Sequence, residues 1–190
     1  MSKKKSIYIE DIRERKLLVE FNRKPLEKSK LFGFVLVCND EFTLIHEFDV
    51  NFFRLDGYCI FKNDSVKKYS VYDKDEYFLN EVIKFKNIDP RPVPNVSIES
   101  WSEILRTVNE SFPLIRIERE KIDNKSCYIG KLEKLKKKTF SLMEIDSSAD
   151  WDKSYSYKYD DLTKVGFDSE YENTLIFVAE NRDGIKAKES

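Results

Sequence analysis

Short runs of β-branched and aromatic residues, broken by polar turns, make up most of the chain, and this pattern predicts strands. In the first half the runs are Leu17–Phe21, Leu31–Cys38, Phe42–Phe48, Tyr58–Lys62 and Val66–Tyr72. In the second half they are Leu114–Glu118, Cys127–Lys134, Thr139–Ile145, Ser154–Tyr159 and Thr163–Phe167. Asn39-Asp40 supplies side chains that tolerate a tight turn. Two segments switch to a helical period. Asp75–Ile88 sets Phe78, Val82 and Ile83 at helical spacing, which predicts a helix closing the first half. Ser100 and Glu103 form a capping box, and Trp101, Ile104, Leu105 and Val108 then line one apolar helical face. Between them, Pro90, Pro92 and Pro94 exclude both helix and central strand, so a stiff, extended connector is expected.

The two halves echo one another. "SKLFG" ends at Gly33 and "SCYIG" at Gly130, 97 positions later. Glu47-Phe48-Asp49 and Glu144-Ile145-Asp146 keep the same spacing of 97, and "LLVEFNRK" and "LIRIERE" hold the same place before each serine. Downstream, Asn63–Tyr77 faces Tyr159–Tyr171, with the offset shrinking through small gaps. Such ordered correspondence predicts a duplicated unit. Five short strands per unit predict a small antiparallel barrel, in which one long strand must bend sharply. Gly33 and Gly130 sit where that bend falls, since a residue without a Cβ permits both the twist and the close approach of a crossing strand. The predicted fold is mainly β, with two tandem five-stranded barrels. Residues 1–89 hold the first barrel and its closing helix, 90–96 the proline-rich connector, and 97–190 the capped helix, second barrel and a polar tail.

This arrangement resembles the Sm-like small-barrel superfamily, and within it bacterial proteins that carry such barrels in tandem. In Sm-like proteins the bent-strand Gly is followed by Asp, two residues, an apolar residue, Asn and Leu. Here Gly33 is followed by Asn39 and then Phe42-Thr43-Leu44, with Asn for the Asp and Thr for the Asn. The second unit reaches Phe140-Ser141-Leu142 after one extra residue, and the apolar-Arg-Gly signature is echoed only by Leu55-Asp56-Gly57. In RNA-binding members the Asn and Arg hold a base and its phosphate. The resemblance implies that Thr43 can still hydrogen-bond, whereas Asp56 would repel a phosphate. It implies architecture more than RNA binding.

Composition narrows the functional classes. A hydrophobic content of 41% with 14% aromatics supplies a packed core. The 34 basic and 35 acidic residues leave a net charge of −1, so no global field draws the chain to nucleic acid or anionic lipid. No run approaches the roughly 18 apolar residues a membrane helix needs, and the N-terminal segment has no apolar core with a cleavage site. Cys38, Cys59 and Cys127 are scattered without a C-x-x-C pair, as in a reduced cytoplasmic protein.

Candidate chemistry is sparse. His46 is the single histidine, which leaves no His cluster for a metal and only Cys38 or Cys59 as a nucleophilic partner. Glu47/Asp49 and Glu144/Asp146 each place two carboxylates on one strand face; a solvent-facing strand end accounts for them, and holding a divalent ion or acting as acid and base is the sharper reading. Lys131–Lys138 carries five lysines across a predicted hairpin, where they discourage edge-to-edge sheet pairing; a phosphate-contacting patch is the sharper reading, with Tyr128 and Phe140 nearby for base stacking or, equally, for core filling. Trp151 sits in a loop within an acidic, aromatic stretch; packing over the open end of the barrel is the favoured role, and an anchor for a binding surface is the sharper reading. With no cofactor motif and no clustered glycines, the expectation is a non-enzymatic cytoplasmic protein that binds a protein partner through Trp151 and the surface between the barrels. The alternative is RNA or single-stranded nucleic-acid binding through Thr43 and Lys136, Lys137 and Lys138; a carboxylate-pair enzyme is the third reading.

Overall fold

The computed structural model describes the backbone of residues 3–186 and the side chains of residues 9–182. The chain divides into two compact units, Met1–Glu99 and Ser100–Ser190. The first contains helix α1 (Lys3–Glu14), strands β1 (Leu18–Asn22), β2 (Leu31–Cys38), β3 (Phe42–Asp49) and β4 (Arg54–Lys62), a 3₁₀ turn at Asn63–Ser65, strand β5 (Lys68–Tyr72) and helix α2 (Phe78–Phe85). The strands pair antiparallel in the order β5-β1-β2-β3-β4. Because strand side chains alternate, neighbours on β1 go to different cores. Val19 packs with Ile12, Phe21, Leu31, Ile45, Cys59 and Phe61. Leu18 packs with Phe34 and Phe48, and Leu79 and Ile83 of α2 cover that second cluster.

The proline-rich stretch carries no helix or strand and docks within this first unit. The Arg91 backbone N–H donates to His46 Nδ1 at 3.1 Å, and its guanidinium lies 4.8 Å from the Tyr58 ring centre. Further on, Asn39 Nδ2 donates to the carbonyl of the buried Ile98 at 2.7 Å.

The second unit repeats the element sequence: helix α3 (Trp101–Ser111), strands β6 (Ile115–Arg119), β7 (Asp123–Leu135), β8 (Thr139–Ile145) and β9 (Trp151–Lys158), a 3₁₀ turn at Tyr159–Asp161, strand β10 (Lys164–Phe167) and helix α4 (Glu170–Lys186). Its strand order, β10-β6-β7-β8-β9, is that of the first unit. Ser100 caps α3 by accepting the Glu103 N–H, and Trp101, Ile104, Leu105 and Val108 are buried as the apolar face predicts. The Glu103 carboxylate turns to Arg106, at 2.7 Å, rather than completing the box.

The irregularities recur as well. Register shifts fall between Val35 and Val37 on β2 and between Leu132 and Lys134 on β7, each just past the strand's glycine. On the crossing strands they fall between His46 and Phe48 and between Met143 and Ile145. A Cβ on Gly33 would lie 2.6 Å from the His46 carbonyl oxygen, and one on Gly130 would collide with the carbonyl oxygen of Met143. Backbone crosses backbone at both points, which only glycine allows.

Three expectations need correction. Neither five-stranded sheet closes into a barrel: β5 and β4 do not pair with one another, and neither do β10 and β9. Closure requires strands long and staggered enough for the last to reach the fourth. Here β5 pairs with β1 and β10 with β6, and neither reaches the strand that would complete a barrel in its unit. Helices α1 and α4 were not expected. The polar tail begins as structure, since 181–186 continue α4; residues 187–190 lie outside the described residues. The signal for α4 was present: Ser169 and Glu172 form a reciprocal capping box, each accepting the other's N–H.

Candidate interaction surface

Most of the predicted site residues are engaged in holding the fold. Thr43 is buried, donates to Asn63 Oδ1 at 2.6 Å and lies 3.2 Å from Cys38 Sγ. Asn63 Nδ2 in turn donates to the Asn39 carbonyl at 2.8 Å, and Asn39 Oδ1 accepts the N–H of Glu41 and Phe42. This network locks the β2–β3 turn to the start of the 3₁₀ turn after β4. Trp151, placed at the start of β9 rather than in a loop, packs half-buried against Leu114, Ile129, Ile145 and Leu175, with Lys131 Nζ 4.7 Å from its ring centre. It fills the second core and presents no open anchor. Lys136, Lys137 and Lys138 are exposed in the β7–β8 turn. Of the two roles open to Tyr128 and Phe140, base stacking and core filling, the structure shows both rings packed within the protein. Phe140 is buried against Tyr157 and Tyr159, and Arg119 lies 4.8 Å from the ring centres of both Tyr128 and Tyr157.

The paired carboxylates separate into different tasks. Asp49 Oδ1 accepts the N–H of Asn51 and Phe52, and Asp146 Oδ1 accepts those of Ser148 and Asp150. Each aspartate therefore ends its strand and locks the following turn. Glu144 accepts the hydroxyl of Tyr157. Burial first, and that carboxylate second, push the Tyr157 phenol well above its ordinary range. His46 is fully buried and stacked on Tyr58 at 4.8 Å, its ring nitrogens facing Arg91. Cys59 is buried in the first core, Cys38 is half-buried in the turn network, and Cys127 is exposed on β7. Among the described residues, no group of three or more His, Cys, Asp or Glu side chains could hold a metal ion.

What the sequence reading missed is an exposed aromatic surface on the first unit. The β3–β4 turn, held by Asp49, leaves Phe52 66% exposed and places Phe53 at φ 51°. Lys86, just past α2, donates to the carbonyls of Phe53 at 3.1 Å and Phe52 at 3.4 Å, tying the turn to the helix. Phe78 meets Phe53 edge to face at 5.9 Å. Along α2 the apolar residues divide. Leu79 and Ile83 face the core, whereas Phe78, Val82 and Phe85 recur one and two turns apart on another stripe. Phe78 is 63% and Phe85 87% exposed. The sequence reading had assigned Phe78 and Val82 to the closing face. Cations border the rings: Arg54 lies 5.4 Å from the Phe52 ring centre and Lys86 Nζ 6.0 Å from that of Phe53. Lys84 pairs with Asp75 at 2.8 Å, holding that carboxyl below its usual range.

Three phenylalanines projecting from a braced turn and a short helix offer rigid apolar area, the kind of surface that anchors macromolecular contacts. Two signals could have found it: the Phe52-Phe53 doublet where a hairpin turn normally carries polar residues, and the second apolar stripe of α2. No helix among the described residues is long and apolar enough to cross a membrane. The chain matches no family model, no curated protein and no solved structure.

Proposed function

We propose that this chain is a non-enzymatic cytoplasmic protein-interaction module, built from two copies of an Sm-like unit, that engages a protein partner through Phe52, Phe78 and Phe85. The observation carrying this reading is the exposure of those three side chains, 66%, 63% and 87%, on elements tied together by Lys86. An exposed Phe returns about 1.5–3 kcal/mol when fully buried, so a partner covering three of them gains a substantial apolar contribution. Turn, helix and lysine are already fixed, so little ordering cost opposes docking.

Duplication is supported by the shared strand order and by register shifts and glycine crossings 97 positions apart. The open sheets are, on this reading, small-barrel folds left unclosed. Against the nucleic-acid alternative stands the position of Thr43, which is buried and already hydrogen-bonded.

The test is co-purification from the native host with the wild-type chain and a Phe52→Ser/Phe78→Ser/Phe85→Ser variant. The wild type is expected to retain a protein that the variant loses, while circular dichroism of the two chains stays the same. Equal retention by both chains would reject the surface. Turnover on a broad hydrolase panel, abolished by Glu47→Ala or Glu144→Ala, would reject the non-enzymatic assignment.

A further inference from the structure

Because the two units share one scaffold, each serves as a control for the other. Val19 stands opposite Gly33, and Ile115 opposite Gly130. Counting on equally from each, Arg23 and Arg119 hold the same place where the first strand of the unit ends. Phe61 and Tyr157, each the residue before last in its unit's fourth strand, are equivalent too. Each arginine lies over its ring, at 5.7 and 4.8 Å from the centre. The last residue of the 3₁₀ turn is Ser65 in one copy and Asp161 in the other.

The surroundings differ. In the first unit Arg23 is fully buried; its Nε donates to Ser65 Oγ at 3.1 Å and its Nη1 to Glu27 Oε2 at 3.0 Å. In the second unit Arg119 is only half-buried and lies 4.8 Å from the ring centres of both Tyr128 and Tyr157. Among the described residues no carboxylate pairs with it, and its Nε is buried without a hydrogen-bond partner. Neighbouring acids are committed elsewhere. Asp123, opposite Arg119 in the ladder, accepts the N–H of Lys125 at 3.0 Å, and Glu144 accepts the Tyr157 hydroxyl. Asp161 does not replace the bond that Ser65 makes.

An unpaired buried polar group in a folded chain calls for a partner. Stacking between two rings already orients the planar fork, so a ligand meets it at little ordering cost. With Nε sealed, the open edge is the pair of Nη groups, the edge on which Arg23 holds Glu27.

We propose that Arg119 docks a carboxylate supplied from outside the chain, a Glu or Asp side chain of a protein partner, in the place that Glu27 holds on Arg23. Tyr128 and Tyr157 orient the guanidinium, and the incoming carboxylate takes its Nη edge. A single carboxylate suits this position better than a polyanion, which would also meet the charges of Asp123, Glu144 and Asp161. The site uses the second unit alone and does not depend on the aromatic surface of the first.

The experiment titrates the peptide acetyl-Gly-Glu-Gly-amide into the ¹⁵N-labelled full chain and follows the Arg119 Nε–Hε signal. Acetyl-Gly-Gln-Gly-amide is the uncharged control, and inorganic phosphate the competing anion. The Glu peptide should move that signal and the amides of Tyr128 and Tyr157 saturably, and the Gln peptide should not. Arg119→Gln should abolish the response, and Arg119→Lys should keep only part of it, because an ammonium offers no planar fork. Shifts confined to other residues, equal responses to both peptides, tighter binding of phosphate, or full recovery by a folded Arg119→Lys chain would each overturn the proposal. So would faster Nε–Hε exchange in peptide-free Asp161→Asn than in the wild type, since a carboxylate of the chain would then already hold the site. If the arginine variants fail to fold, the wild-type titration and the Asp161→Asn chain decide the matter.

Discussion

A methyl group at position 33 or 130 has nowhere to go, because a carbonyl oxygen of the crossing strand occupies the space. Gly33→Ala and Gly130→Ala should each destabilise by about 1–3 kcal/mol, as forced overpacking does, read as a lower denaturation midpoint. An unchanged midpoint in both would remove the mechanical reason for glycine there. Tyr157 gives a second residue-scale prediction. Its phenol is raised above the ordinary value of 10.0 by burial and by Glu144. The folded chain therefore keeps this proton after the unfolded chain has lost it. The resulting stability is complete below about pH 10 and declines as pH rises above it. Between about pH 10 and 12, the melting temperature of the wild type should fall more steeply than that of Tyr157→Phe. Parallel slopes would show that Tyr157 titrates normally. Neither effect could be read from residue type. The glycines announced themselves by their repetition, whereas Tyr157 matters only because β9 places it against Glu144.

At the level of elements, alternation was a sound guide because the strands face packed cores. β2 runs over Leu31–Cys38 and β8 over Thr139–Ile145, as expected from their apolar runs. Strand β7 extends four residues earlier than its apolar run, because the polar segment Asp123–Ser126 continues the ladder where no core contact is needed. Helix α1 escaped detection since its sequence, KKKSIYIEDIRE, is mostly charged. Helix α4 escaped because its capping box, Ser169 and Glu172, was not singled out. The second apolar stripe of α2 escaped for another reason: helical spacing shows that residues share a face, but not which face meets the core. Capping supplies the test at this scale. Ser100→Ala and Ser169→Ala should each cost about 1 kcal/mol, with exchange protection lost first in the opening turns of α3 and α4 respectively. Protection unchanged in those turns would mean that packing alone holds the helix starts.

For the whole molecule, charge is the decisive quantity. With 34 basic and 35 acidic side chains, the lysines of the β7–β8 turn work against the rest of the surface. Filter binding with mixed single-stranded oligonucleotides should give weak retention at about 50 mM salt and little change at about 200 mM. Retention that falls several orders of magnitude between the two would return the nucleic-acid reading to first place. Fold class was accessible from the sequence at this scale because two copies of one pattern reinforce each other. The candidate surface was not, because it consists of apolar residues, and apolar residues by themselves signal a core.

The three cysteines differ sharply in exposure: Cys59 is buried, Cys38 half-buried and bonded within its turn, and Cys127 exposed. Burial around the sulfur raises the Cys127 thiol above its ordinary range, so a maleimide fluorophore added to the unmodified chain should couple first at Cys127 in mildly alkaline buffer, where that thiol begins to ionise. This gives experimenters a ready-made reporter on β7, with no engineered thiol and the other two sulfhydryls left intact.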